Sequence, residues 1–223
     1  GQCEEITEEG LYTCLIRNPH WQPERLTHGR ADTCFLRDAS EIEEKLRRTP
    51  MTKEEVREVS ICKLHLTQNA VVYDIGSGTG SVAIEIAGVP GGVQVYAIER
   101  KPEAVELLRK NRAHFHMDNI QIIEAPAPEG LEELPVPTHA FIGGSGGRLL
   151  DVLQTLYRKN PHMRIVINAI SMETIAELKE VLDTFPMEEE EILQMQVSRV
   201  KKLLSYHLPQ AENPVWICSV SYT

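Results

Sequence analysis

The chain has 223 residues, of which 42% are hydrophobic, and it can therefore bury the core of one good-sized α/β domain or of two cramped ones. It carries 23 Lys and Arg against 33 Asp and Glu, and the resulting net charge of −10 disfavours general binding to nucleic acid or to anionic lipid. No apolar run reaches the roughly 18 to 20 residues of a membrane helix, and the first residues resemble no secretion leader. We expect a soluble cytoplasmic protein that binds neither membranes nor nucleic acid.

The five cysteines are widely spaced and include no Cys-x-x-Cys pair or other zinc-ligand spacing. We therefore expect ordinary reduced thiols and no metal site.

The amino-terminal region has turn signals and little periodicity, and two predicted helices follow it. Ser40 opens the first helix, over residues 40–48, because a Glu three residues later completes a capping box. Thr52 opens the second in the same way, and this helix should end near Leu66. We expect residues 1–49 to form an arm and helix that pack on the core, and residues 50–223 to form the main domain.

From residue 70 onward, short apolar strands alternate with helices, which indicates a doubly wound parallel sheet. The predicted strands are 70–75, 93–98, 120–124, 139–142 and 164–169. The predicted helices are 80–87, 102–114, 148–158 and 172–184. Two further β-rich stretches, 193–197 and 215–222, have no helix between them and should pair antiparallel at the sheet edge. The acidic run 188–191 should be a solvated charge cluster.

The strongest functional signal is the stretch 71–80 (VVYDIGSGTG), in which an apolar strand runs into three glycines at alternate positions and then into a helix. Glycine permits a sharp turn and a close approach by a ligand, and the helix start offers free N–H groups. A nicotinamide site would require a third glycine at position 81, which is Ser81, so the spacing disfavours a dehydrogenase. A purely structural turn remains an alternative.

An acid follows the second predicted strand, at Glu99. A carboxylate at this edge can accept both hydroxyl hydrogens of a ribose, so Glu99 and the glycine turn together indicate a nucleoside-bearing cofactor.

The pattern of Asp74, the three glycines and Glu99 resembles the class I S-adenosylmethionine-dependent methyltransferases. This resemblance implies a Rossmann-like, doubly wound seven-stranded sheet with an antiparallel terminal strand. Several stretches are similar in particular to the cobalt-precorrin carbon-15 methyltransferases (decarboxylating), the CbiT family. They are 17–21 (RNPHW), 50–57 (PMTKEEVR), 74–82 (DIGSGTGSV), 96–100 (YAIER), 141–147 (FIGGSGG) and 164–170 (RIVINAI).

The resemblance implies methyl transfer from S-adenosylmethionine to carbon 15 of a precorrin, with decarboxylation of the ring C acetate, in cobalamin biosynthesis. It also implies a homotetramer, for which the arm is a plausible contact, and a possible fusion or cooperation with a carbon-5 precorrin methyltransferase. The implied cofactor-binding residues are Thr52, Asp74, Gly76, Ser77, Gly78, Thr79, Gly80, Glu99 and Ala127, for which Ala125 is an alternative match.

The fourth predicted strand ends in two glycines, where amino-methylating enzymes carry an Asn/Asp-Pro-Pro-aromatic motif. These glycines leave space and backbone N–H groups for a wide, flat substrate or its carboxylates. The candidate substrate-binding residues are Gly143, Gly144, Ser145 and Arg148. Cations that could offset the charge of such a substrate are Arg25, Arg30, Lys53, Arg57, Arg148 and Arg199. No residue is assigned to catalysis, because alignment of an electron-rich ring carbon with the methyl donor suffices for transfer.

Two other functions use the same features. A transfer RNA adenine methyltransferase shares the cofactor domain, although the acidic charge and the missing motif count against it. A catalytically silent module that keeps the fold for interactions is the second alternative. The sequence leaves open whether the precorrin carries cobalt.

Overall fold

A computed structural model describes residues 27–37, 49–185 and 187–222 of the chain. The helix predicted over 40–48, the stretch 17–21 and Arg25 lie outside these residues. Within them, no helix has the length and apolar character needed to span a bilayer.

A seven-stranded sheet forms the centre of the described structure. Its strands are β1 (Val71–Ile75), β2 (Gln94–Glu99), β3 (Ile120–Glu124), β4 (His139–Ile142), β5 (Arg164–Ala169), β6 (Met187–Met195) and β9 (Val215–Tyr222). Their order is β3-β2-β1-β4-β5-β9-β6, in which the first five strands are parallel and β9 is antiparallel to both of its neighbours. The predicted doubly wound sheet with an antiparallel terminal strand is confirmed.

Helices cover both faces of the sheet. They are α1 (Glu54–Leu64), α2 (Ser81–Ala87), α3 (Pro102–His114), α4 (Leu149–Lys159) and α5 (Met172–Thr184). Successive strand residues point to opposite faces, so that Val72 joins the core under α1, α2 and α3 while Tyr73 joins the core under α4 and α5. This arrangement leaves the carboxyl ends of the parallel strands together at one edge.

The start of α1 differs from the prediction. The helix begins at Glu54 with Lys53 as its N-cap, and no side chain caps it, so the capping box expected at Thr52 is wrong. Arg57 holds the segment before the helix in another way, because its Nη1 donates to the Thr52 carbonyl at 2.7 Å, while its backbone N–H makes the first helical hydrogen bond, to the Lys53 carbonyl at 2.7 Å. The helix ends at Leu64, two residues before the predicted end.

The arm segment, residues 27–37, packs against α1 and α2. Phe35 is 4% exposed and belongs to the core, and the Arg57 guanidinium lies 4.8 Å from its ring centroid. Glu85 of α2 is fully buried and accepts from the Arg30 backbone N–H at 2.6 Å and from Arg30 Nη1 at 2.9 Å. Arg57 Nε lies 3.6 Å from the same carboxylate. Arg30 and Arg57, predicted as substrate contacts, are thus committed to an internal ion cluster. The predicted domain boundary at residues 49 and 50 stays a prediction.

The described residues form a second sheet that the sequence did not predict and that shares no strand with the first. It is an antiparallel hairpin of β7 (Ser198–Leu203) and β8 (Tyr206–Ala211). Large apolar side chains on it are exposed, with Leu204 at 86% and Tyr206 at 68%. The acidic run lies in the edge strand β6, where its described side chains, those of Glu188, Glu190 and Glu191, are exposed as predicted.

Candidate functional site

A cleft of about 820 Å³ opens where β1, β2, β3 and β4 end. Ligands of open α/β sheets bind at this edge, outside the carboxyl ends of the strands. Four predicted cofactor residues line the cleft: Gly76, Gly78, Glu99 and Ala127. The other predicted cofactor residues are outside its lining: Thr52, Asp74, Ser77, Thr79 and Gly80. All predicted substrate residues line it: Gly143, Gly144, Ser145 and Arg148.

The glycine turn after β1 is in close backbone contact with two other segments. Gly76 has φ +75°, and a Cβ on it would lie 2.5 Å from the carbonyl oxygen of Gly144. Gly78 has φ +56°, and a Cβ there would lie 2.8 Å from the carbonyl oxygen of Pro50. Any side chain at these positions would separate segments that form the cleft wall.

Helix α3 holds the second half of the turn. Asn111 Nδ2 donates to the Thr79 carbonyl at 2.9 Å, and a Cβ on Gly80 would lie 2.1 Å from Leu108 Cδ1. Thr79 is fully buried, and its hydroxyl has no partner among the described residues. Thr79 and Gly80 therefore pack against α3 and support the turn from the side away from the cleft.

Asp74 at the end of β1 fixes the turn from within. Its Oδ2 accepts from Ser77 Oγ at 2.6 Å and from the backbone N–H of Ala83 at 3.1 Å. Burial and, to a smaller extent, the nearby Glu99 carboxylate raise the pKa of Asp74 to about 7, against the opposing effect of these two hydrogen bonds. The carboxyl group is a structural brace whose charge is costly to keep.

Glu99 at the end of β2 joins the turn to the second strand. Its Oε2 accepts from the Gly78 N–H at 2.9 Å, and its Oε1 accepts from the N–H groups of Arg100 and Lys101 at 2.9 and 3.0 Å. Glu99 is 8% exposed and lines the cleft. A carboxylate has about four acceptor positions, so this one retains capacity for a further donor from a ligand.

Two loops form the outer walls. After β3, both Ala125 and Ala127 line the cleft, so both possible matches to the family segment lie at the site. After β4, Ser145 Oγ donates to Glu177 Oε2 at 3.3 Å. A Cβ on Gly144 would meet nothing within 4 Å, which leaves open space on that side.

Arg148 sits at the rim with carboxylates already beside it. Its Nη1 lies 2.6 Å from Glu129 Oε1, and its Nε lies 3.2 Å from Asp151 Oδ2. All three side chains are exposed, so solvent screens these pairs and they can rearrange at little cost.

The remaining predicted cations lie elsewhere. Arg199 is paired with Glu55 and with Glu212, and Lys53 Nζ lies 3.5 Å from Asp32 Oδ2. Neither basic residue lines the cleft.

Sequence reasoning assigned no cofactor or substrate role to several residues of the wall, among them Thr49, Pro50, Arg100 and Lys101. The last two follow Glu99 directly, and their position at the same sheet edge was a usable signal. Thr49 and Pro50 reach the cleft only because the chain before α1 crosses the glycine turn, which no local pattern reveals.

The strand order, the glycine turn after β1 and the acid after β2 define the class I methyltransferase fold. A family model described as a precorrin methyltransferase domain matches residues 47–221, and the chain belongs to this family of methyltransferases.

Relatives of known name and structure agree with this assignment. The chain is 35% identical over 169 residues to the cobalt-precorrin-6B C(15)-methyltransferase (decarboxylating) of Salmonella typhimurium, covering 75% of this chain and 87% of that protein. The structure matches a precorrin-8w decarboxylase from Methanobacterium thermoautotrophicum with a TM-score of 0.77 and 31% identity, covering 86% of this chain and 99% of the other. It matches a precorrin-6y C5,15-methyltransferase from Geobacter metallireducens with a TM-score of 0.76 and 33% identity, covering 87% and 98%.

Proposed function

We propose that this protein transfers a methyl group from S-adenosylmethionine to carbon 15 of a cobalt-precorrin in cobalamin biosynthesis. Loss of carbon dioxide from the ring C acetate accompanies the transfer. The observation that carries the proposal is the hydrogen bond between Glu99 and Gly78, which joins the acid at the end of β2 to the glycine turn at one cleft in a member of the precorrin methyltransferase family.

The cleft fits the proposed cofactor. A Cβ would fill the turn at Gly76 and Gly78, so only glycine leaves this backbone in place and accessible. Glu99 would offer its remaining acceptor position to a ribose hydroxyl group, and the Ala125–Ala127 wall would lie beside the base. S-adenosylmethionine, when bound, supplies the methyl group as an electrophile on a sulfonium. The predicted cofactor residues outside the cleft lining contribute indirectly, because they hold the glycine turn and the segment that crosses it. They are Thr52, Asp74, Ser77, Thr79 and Gly80.

The loop after β4 suits the methyl acceptor. The open space beside Gly144 admits a flat macrocycle, and Gly143 and Ser145 line the same wall. The chain's own contribution to the reaction is alignment, because an in-line displacement depends on the angle between acceptor carbon, methyl group and sulfur. The electron pair left when carbon dioxide departs from the ring C acetate is taken up by the conjugated ring. A proton from solvent then converts the remaining carbon of that acetate into a methyl group.

We also propose self-association, as a homotetramer, and cooperation with a carbon-5 precorrin methyltransferase. Exposed apolar side chains on the β7–β8 hairpin, such as Leu204, support the first. The C5,15 name of the Geobacter relative supports the second. Light scattering tests the tetramer, and the cytoplasmic location stays a prediction.

The deciding experiment is mass spectrometry of cobalt-precorrin-6B after incubation with the protein and S-adenosylmethionine. We expect a product that has gained one methyl group and lost one carbon dioxide. The cobalt-free precorrin is run in parallel to decide whether the metal is required. An unchanged precorrin, together with methylation of transfer RNA, would replace this proposal with the adenine methyltransferase. A protein that binds no cofactor would be the silent module.

A further inference from the structure

Arg100, to which the sequence analysis gave no role, presents a guanidinium group at the cleft. It follows Glu99 at the end of β2, lines the cleft and is exposed. A Cβ on Gly146 would lie 3.4 Å from each of its Cζ, Nη1 and Nη2 atoms. Because the three distances are equal, the guanidinium plane faces Gly146 and its N–H edges are left at the sides.

These N–H edges have no acidic partner among the residues that the structure describes. The other guanidinium groups considered for the substrate differ in this respect, because Arg30, Arg57, Arg148 and Arg199 are each paired with carboxylates. Arg100 is therefore the arginine at the cleft wall whose planar fork is available for a bidentate carboxylate contact.

We propose that Arg100 binds a carboxylate of the substrate and so orients it in the cleft. The inference rests on the proposed function, since a precorrin is rimmed with carboxylates, and a chain of net charge −10 needs a local cation to hold one. The side chain extends from β2 to the loop after β4, whose Gly144 borders the open space. Arg100 thus points to the loop after β4, where the methyl acceptor is proposed to bind, whereas the preceding Glu99 faces the glycine turn.

The first test is Arg100→Ala. We expect its KM for cobalt-precorrin-6B to rise about 10-fold with little change in kcat, because a charge-assisted contact made equally in the ground and transition states is lost. Arg100→Lys keeps the charge without the fork, and its KM should fall between the two. Arg158→Ala is the matched control, since it removes an exposed guanidinium from α4, away from the cleft, and should behave as wild type. An unchanged KM in Arg100→Ala overturns the proposal.

The second test uses two adjacent glycines with the same backbone strain. Gly146 and Gly147 have φ +63° and +83°, but only a Cβ on Gly146 would come into close contact with the Arg100 guanidinium, at 3.4 Å, whereas one on Gly147 meets Glu177 Oε1 at 3.7 Å. We expect Gly146→Ala to raise KM and Gly147→Ala to leave it near wild type. The double variant Arg100→Ala/Gly146→Ala should be no worse than Arg100→Ala alone. Additive effects would mean that Gly146 acts independently of Arg100.

A third test separates the substrate from the cofactor, whose methionine portion also has a carboxylate. Calorimetry compares S-adenosylhomocysteine with 5′-methylthioadenosine, which lacks that carboxylate. We expect Arg100→Ala to bind both as the wild type does. A selective loss of S-adenosylhomocysteine affinity would assign Arg100 to the cofactor and overturn the proposal.

Failure of the proposed function gives a different result. If the wild type leaves cobalt-precorrin-6B unchanged, the proposed function fails, and the carboxylate site is then tested with uroporphyrin III, a fluorescent octacarboxylate. Binding that is about 10-fold weaker in Arg100→Ala than in wild type and Arg158→Ala supports the site. Equal binding by all three, or no binding by wild type, overturns it.

Discussion

Gly76 and Gly144 touch through their backbones, and this contact joins the cofactor turn after β1 to the loop after β4. The place of a Gly76 Cβ is taken by the Gly144 carbonyl oxygen at 2.5 Å and by its nitrogen at 2.8 Å. The reverse does not hold, because the place of a Gly144 Cβ is empty. The two glycines therefore serve different purposes: one permits the contact, and the other leaves room in the cleft.

This asymmetry predicts opposite outcomes for two alanine variants. Gly76→Ala should lower the free energy of unfolding by at least about 2 kcal/mol, since it adds a backbone clash to a positive φ. Gly144→Ala should change it by less than about 0.5 kcal/mol. Urea unfolding of both variants measures the difference. Equal stabilities would show that the two loops are not in contact.

Glu99→Gln should weaken binding of S-adenosylhomocysteine. The amide keeps one acceptor oxygen but places an NH2 group opposite backbone N–H donors, at Gly78 or at Arg100 and Lys101. We expect a loss of about 1 to 3 kcal/mol by calorimetry. Glu106→Gln, on the exposed face of α3, is the control for removal of a carboxylate and should bind normally. Normal binding by Glu99→Gln would remove Glu99 from the cofactor site.

Asp74→Asn should make stability less dependent on pH. The folded-state pKa of Asp74 is about 7, whereas an unfolded aspartate titrates near 3.9, so between these values the folded chain holds a proton that the unfolded chain releases. Raising the pH through this window destabilises the folded wild type. Asn keeps the acceptor for Ser77 and Ala83 without the charge.

Urea unfolding at pH 5 and pH 8 checks this prediction. The stability of the variant relative to wild type should rise on the order of 2 kcal/mol at the higher pH. A difference between the two proteins that is the same at both pH values would mean that Asp74 titrates normally.

The buried pair of Arg57 and Glu85 should show strong energetic coupling. Both side chains are fully buried, so Arg57→Met leaves the Glu85 carboxylate with Arg30 and, at 4.0 Å, with His28 Nδ1, and should cost about 3 to 5 kcal/mol. The double variant Arg57→Met/Glu85→Gln should cost less than the sum of the single changes. Thermal and urea unfolding of the four proteins give the coupling energy, and simple additivity would contradict the pairing.

Elements with a strong local pattern could be predicted residue for residue. The strands 120–124, 139–142 and 164–169 are short, mainly apolar segments, and α3 opens with Pro102 at its first turn. The β7–β8 hairpin could not be predicted, because its apolar side chains are exposed and no core face dictates their alternation. The start of α1 was misplaced because a buried arginine, and not a cap, orders it.

The candidate site divides in the same way. The glycine turn and Glu99 could be identified because chemistry and spacing coincide in a short stretch. The sequence could not show that Arg30 and Arg57 pair with a buried carboxylate instead of with the substrate. Their partner Glu85 lies on α2, and nothing in the sequence of that helix indicates that its glutamate is buried. Pro50 belongs to the wall through its carbonyl group, which no side-chain pattern encodes.

The position of β9 between β5 and β6 determines when β6 can join the sheet during synthesis. Strand β6 leaves the ribosome before the strand that connects it to the sheet, because Val215 follows Met195 by the length of the hairpin. At 5 to 20 residues per second this gap lasts about 1 to 4 s. During that time β6 is an unpaired strand, and its exposed glutamates, among them Glu188 and Glu191, discourage pairing with a neighbouring nascent chain. The acidic run thus protects β6 from such pairing until β9 joins it to the sheet.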